Sequence, residues 1–222
     1  MRLEEELEYF HKIDEEFESI ILKYFPGLFI ESRGNSGPNF HASFHNNNRF
    51  FEKTEYFYND DLEFIHFTKF PSLLSILNSR SIRMYNLHSS NDHQEFEYAA
   101  SLLKLTNNEI QARKNNLYTF SFCSKKELSD EKIWEVYGDN YSGCCIVFGI
   151  ENDLKDWINY HISFIKYSAP TNFDEYRNEI NELNKKYGIT AQCDLSKLIA
   201  FHKTSKWSYE KEVRLLTYNP FK

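Results

Sequence analysis

The sequence predicts an α+β fold, a mixed and mainly antiparallel sheet with flanking helices, led by an N-terminal amphipathic helix. Short runs rich in β-branched and aromatic residues, at 62–68, 117–123 and 162–167, read as strands. Helical runs lie among them without the strict alternation that a parallel βαβ sheet requires. Composition agrees: 20 Phe and 15 Tyr against 7 Gly and 5 Pro in 222 residues suit a packed core rather than a disordered chain.

Residues 2–24 carry Leu3, Leu7, Phe10, Ile13, Phe17, Ile21 and Tyr24 at three- and four-residue steps, which predicts a helix ended by Pro26-Gly27. Its apolar face suits packing on the rest of the chain, or an antitoxin or oligomer partner. Gly34, Gly37, Pro38 and the Asn46-Asn47-Asn48 run predict a connector over 32–50, so that residues 1–50 form an extension and 51–222 the main domain. A helix over 70–79 follows the first strand, then a strand at 82–85 and one helix over 92–113. Ser129-Asp130-Glu131 opens a short helix closed by Gly138. The unbroken apolar run Cys144-Cys145-Ile146-Val147-Phe148 reads as a central strand buried on both faces. Helices over 172–187 and 191–203 precede a last strand that includes Glu210, Glu212 and Arg214.

Net charge of -7 and a pI near 5.7 argue against an extended grip on nucleic-acid phosphates, while a local basic groove stays open. Cys123, Cys144, Cys145 and Cys193 show neither C-x-x-C spacing nor a disulfide framework, as expected of thiols in a reducing compartment. No run is long and apolar enough for a membrane span, and the acidic start Met1-Arg2-Leu3-Glu4-Glu5-Glu6 is unlike a signal peptide. The expected location is the cytoplasm, with no membrane partner.

The segment from Lys206 to Leu216 concentrates the chemistry. Strict alternation would put Glu210, Glu212 and Arg214 on one strand face, with Val213 and Leu215 on the other. Two carboxylates so close repel each other; the pattern suits either a catalytic Glu with a helper or an exposed strand face with a cross-paired Arg. His66 and Thr68 share one face of the first strand. Asn91, Asp92 and Glu95 suit helix capping, or a metal site with His88 or His93. Trp134 and Tyr137, three apart on one helix, suit core packing or a stacking platform.

In order, the chain reads F-I-H-F-T, L-L-S-I-L-N-S-R-S-I-R-M-Y, S-S-N-D-H-Q-E-F-E, F-S-F-C-S, W-E-V-Y-G-D-N-Y-S-G-C-C-I-V-F and W-S-Y-E-K-E-V-R. Over residues 62–216 this resembles a large bacterial family of unknown function, marked by N-D-x-x-E, C-F-S, W-x-x-Y-x-x-x-x-x-G and E-x-E-x-R. The C-F-S element departs in order here, reading Phe122-Cys123-Ser124. More distantly, the layout is similar to ADP-ribosyltransferases of the DNA-modifying toxin branch, found in toxin–antitoxin and phage-defence systems.

That second resemblance implies NAD as substrate, and an acceptor that is a nucleic-acid base or a protein. His66 with Thr68 would hold the ribose and nicotinamide side, and Tyr85 would stack on the nicotinamide, with Tyr118 and Tyr137 competing for that place. Glu212 would bind the ribose 2′-hydroxyl and Glu210 would serve as general base; Arg83 or Arg214 would meet the pyrophosphate, and Ser121 joins the NAD-binding set. The alternatives are a non-catalytic interaction module of a defence system, and a metal-dependent nuclease built on Asp92, Glu95 and a His.

Overall fold

The structure is a computed structural model that describes residues 3–45, 47–89, 95–151, 159–168 and 171–218. Its strands are β1 (Ile30–Ser36), β2 (Asn39–Phe44), β3 (Glu63–Thr68), β4 (Tyr85–Asn86), β5 (Leu117–Ser124), β6 (Cys144–Gly149), β7 (Tyr160–Phe164), β8 (Thr190–Cys193) and β9 (Glu212–Tyr218). Its α-helices are α1 (Leu3–Tyr24), α2 (Phe70–Ser79), α3 (Glu95–Leu102), α4 (Asn107–Asn116), α5 (Glu131–Tyr137), α6 (Thr171–Tyr187) and α7 (Ser196–Ile199). The class is α+β with mostly antiparallel pairing, as the strand runs predict. No helix of the described residues is long and apolar enough to cross a membrane.

The larger sheet has the order β6-β3-β5-β9-β7, with β4 on β5, and all its pairs are antiparallel. One face buries Phe64, Phe122 and Val213 with Tyr58 and Ile162. The other packs Ile65, Phe67 and Cys123 on Ile133 of α5, with Trp134 edge-on to Phe67 at 4.8 Å. Trp134 also donates its indole N–H to the Leu128 carbonyl at 2.7 Å, so of the Trp134–Tyr137 pair it is the packing member.

A smaller sheet, β1-β2-β8, occupies the place of the expected connector. β1 and β2 form an antiparallel hairpin, and Gly37 at its turn adopts φ 57, which glycine reaches without Cβ strain. β2 then pairs in parallel with β8, joining Phe40 to Ala191 and Ala42 to Cys193. Beside it α1 lies along α6, and Ile13, Phe17 and Ile21 share one apolar cluster with Phe173, Leu183, Leu198 and Phe201.

Four further expectations are corrected. The helix expected over 92–113 is two helices: Lys104 turns left-handed at φ 52, and Thr106 with Glu109 forms a capping box that starts α4. The strand expected at 82–85 is reduced to Tyr85–Asn86, because only these residues meet β5. The run expected as a helix over 191–203 is β8 followed by the single turn of α7. β6 is an edge strand, with Val147 exposed, although its sequence reads as central.

The link from α5 to β6 is tightly wound. Asp139, Asn140 and Tyr141 all have positive φ, and the Gly143 amide returns to the Gly138 carbonyl at 2.8 Å. A Cβ on Gly143 would sit 2.8 Å from the Thr68 carbonyl and 2.9 Å from that of Gly138. Backbone on both sides leaves nothing to yield, which explains a glycine at the close of the W-x-x-Y segment. Gly143→Ala is expected to cost about 2 kcal/mol and lower the melting temperature, read by thermal unfolding.

His161 gives the fold a pH dependence. Its Nε2–H donates to the Tyr56 carbonyl at 2.9 Å, its ring stacks on Phe51 at 3.8 Å, and Nδ1 is buried without a partner. Burial holds the imidazole at about 3, far under its ordinary 6.5. The unfolded chain therefore takes a proton that the fold refuses, and stability falls as pH drops below about 6.5. The contribution lost by pH 5 is about 2 kcal/mol. His161→Gln keeps a donor but cannot be protonated, so its melting temperature should fall less between pH 7 and pH 5 than that of the wild type.

Candidate functional site

The cavity follows from how β5 shares one edge. β3 meets that edge at Cys123 and Ser124, and β4 meets it at Thr119 and Tyr118. Between them the strands part, leaving Phe120–Phe122 without a strand on that side. A cavity of about 630 Å³ opens at this gap, lined among others by His66, Tyr85, Ser121, Tyr137, Lys203, Trp207, Glu210, Glu212 and Arg214.

Ser121 connects the two ends of the site. Its carbonyl accepts a bond from His66 Nδ1 at 3.1 Å, and its hydroxyl donates to Glu212 Oε1 at 2.5 Å. A carbonyl can only accept, so Nδ1 carries the proton and Nε2 of the neutral ring is left as an acceptor. Burial holds the imidazole below its ordinary pKa, against the pull of the Ser121 bond. The ring packs on Phe120 with centroids 4.6 Å apart.

Glu210, Glu212 and Arg214 do not share a strand face. Glu210 ends a 3₁₀ turn, Ser205–Glu210, and Lys211 breaks the extended run in a left-handed conformation at φ 46. The Lys211 ammonium reaches away to Glu127 and Asp130, at 2.5 and 3.0 Å. Nor is the face exposed, since Glu210, Glu212 and Arg214 are all buried.

Lys203 is the residue that the sequence does not announce. Its ammonium lies 2.7 Å from Glu210 Oε2 and 2.5 Å from Glu212 Oε2, between the carboxylates that were expected to repel. Arg214 approaches Glu212 Oε1 through Nε at 2.9 Å and a terminal nitrogen at 2.8 Å, and its other terminal nitrogen donates to the Ala200 carbonyl. Arg214, which also lines the cavity, is thereby held in place by these partners. The Tyr137 hydroxyl donates to Glu210 Oε1, and the Glu212 amide donates to the Tyr167 hydroxyl at 2.9 Å.

The two carboxylates consequently differ in charge behaviour. Burial pushes Glu212 up, but Arg214, Lys203 and the Ser121 hydroxyl outweigh it and hold the carboxyl well below the ordinary range. For Glu210 burial prevails over Lys203 and Tyr137, with the nearby Glu212 charge adding to it, so its carboxyl binds a proton more readily. Cys123, in the same cavity, is pushed up to about 12 by burial and then by Glu212, and is a neutral thiol rather than a nucleophile.

Of the expected site residues, His66, Tyr85, Ser121, Tyr137, Glu210, Glu212 and Arg214 line this one cavity. Thr68, paired with Cys144 at the end of β3, and the exposed Arg83 are not among its lining residues, nor is Tyr118. Asp92 and His93 lie outside the described residues, as does the Glu95 side chain.

Removing Lys203 tests this electrostatic arrangement. Lys203→Met leaves a buried carboxylate without its cation, at a cost of about 3 kcal/mol near neutral pH. The penalty is small while Glu210 keeps its proton and grows as pH rises through its raised pKa. Denaturant unfolding should therefore show the gap between variant and wild type widening from pH 5 to pH 8.

Residues 133–215 match the model of the family described as "Protein of unknown function (DUF2971)", a stretch that runs from α5 through Lys203, Glu210, Glu212 and most of β9. No curated protein and no solved structure gives a significant match to the chain.

Proposed function

We propose that the chain is an NAD-dependent ADP-ribosyltransferase, a toxin or phage-defence effector working from this cavity on a nucleic-acid base or a protein side chain. The observation that carries the reading is convergence: His66, Ser121, Glu210 and Glu212, from segments far apart in the chain, line one cavity of about 630 Å³. That volume falls within the range of small-molecule sites.

The residues suit the substrate. His66 Nε2 is an acceptor for a ribose hydroxyl, and Tyr85 and Tyr137 offer aromatic faces to a nicotinamide ring. Cleavage breaks the nicotinamide–ribose bond, and the bonding electron pair leaves with nicotinamide. Positive charge then builds on the ribose ring, and the buried Glu212 carboxylate stabilises it. The acceptor attacks the same carbon and gives its proton to Glu210, whose raised pKa suits a base near neutrality. Lys203 and Tyr137 fix the base in position.

Labelled NAD, incubated with host nucleic acid and host extract, tests the reading. Wild-type protein is expected to transfer label; Glu212→Gln, shown folded by circular dichroism, should lose about 100-fold or more of the rate. Glu210→Gln should slow transfer more than release of nicotinamide to water. A folded wild type that neither transfers label nor releases nicotinamide overturns the proposal.

A further inference from the structure

Helix α2 presents an apolar stripe to solvent. Phe70, Leu74 and Leu77 recur at four- and three-residue steps and are 56%, 46% and 62% exposed, and no residue of the helix is buried. Ile82, just beyond, is exposed too. A stripe of this kind on a soluble surface marks a contact site more often than chance placement.

Charge says what kind of surface covers it. Residues 69–89 contain Lys69, Arg80 and Arg83 and no acidic residue, in a chain of net charge -7. Lys69 pairs with Asp139, whereas Arg80 and Arg83 are exposed and make no ion pair among the described residues. Other arginines are engaged: Arg33, Arg113, Arg177 and Arg214 with carboxylates, and Arg49 over the Phe50 ring. Arg80 even closes α2 in a left-handed conformation, at φ 50, where glycine is the usual residue. The complementary surface is apolar and acidic.

The chain carries such a surface itself. The first turn and a half of α1 lies ahead of its packed part: residues 4–8 are exposed, Tyr9 packs edge-on to Tyr187, and the first buried position is Ile13. Leu7 is 61% exposed, and Glu4 and Glu8, four residues apart and so on a shared face, lie to one side of it.

We propose that two copies of the chain form a two-fold dimer, in which the acidic end of α1 of each copy lies on the α2 stripe of the other. Leu7 meets Phe70, Leu74 and Leu77, while Glu4 and Glu8 meet Arg80 and Arg83. The contact occurs twice, so that it closes on itself and does not propagate. Tyr85, five residues beyond Arg80, lines the cavity, which places each site beside the interface whatever reaction it performs.

Sedimentation velocity with purified full-length chain is the test. The wild type should sediment as a dimer that weakens as salt rises, because rim charges are screened. Arg80→Glu with Arg83→Glu, and separately Glu4→Lys with Glu8→Lys, should each give monomers, as should Leu77→Asp. Mixing the two charge-reversed variants should restore a dimer, since both contacts in the mixed pair join opposite charges. A monomeric wild type, a dimer that survives both reversals, or a mixture that stays monomeric overturns the proposal.

Discussion

One ammonium group organises the site. Lys203 lies between Glu210 and Glu212, and without it two buried carboxylates would stand side by side with no cation between them. A buried ion pair rarely adds much net stability, because desolvation offsets its attraction. It does fix geometry. The segment after α7, the 3₁₀ turn before β9 and β9 itself are tied at one point, and through Ser121 the tie reaches β5 and His66. Each carboxylate then acquires its own character, ionised for Glu212 and proton-binding for Glu210, from the same neighbour.

The opening itself is a product of sheet construction. A strand with neighbours along its full length has no room for a ligand at its backbone. β5 is laddered fully to β9 on one side, yet divided between β3 and β4 on the other. The cavity thus reaches both faces of the sheet. His66 shares the face of Phe64, and Glu212 that of Cys123 and Ile65, and side chains from opposite faces meet where the strands part.

Local pattern revealed α1, α2, β3 and β5, because their apolar spacing is set by neighbours a few residues away. His66 and Glu212 were singled out by the alternating Glu-x-Glu pattern and by the resemblance to ADP-ribosyltransferases. Lys203 left no such mark: it sits in Phe201-His202-Lys203-Thr204, and its meaning comes from carboxylates seven and nine positions on, brought back by the turn at Lys211. The β1–β2 hairpin was hidden by its polarity, since Glu31, Ser32, Arg33 and Asn35 read as loop until β8 arrives to pair with β2. Apolar residues throughout β6 suggested two neighbours, but hydrophobicity reports the absence of charge and not the number of strands alongside.

The middle of β5 has a consequence for exchange with solvent. In an extended strand the N–H and C=O of one residue point the same way. The Ser121 carbonyl points toward His66, so its amide also faces the gap rather than β9. A single proton at the heart of the sheet should therefore behave like one at a fraying terminus, trading with deuterium while Phe120 and Phe122 beside it stay locked against β9. Occupancy of the cavity would then be legible at one backbone position, with no knowledge of what the occupant is.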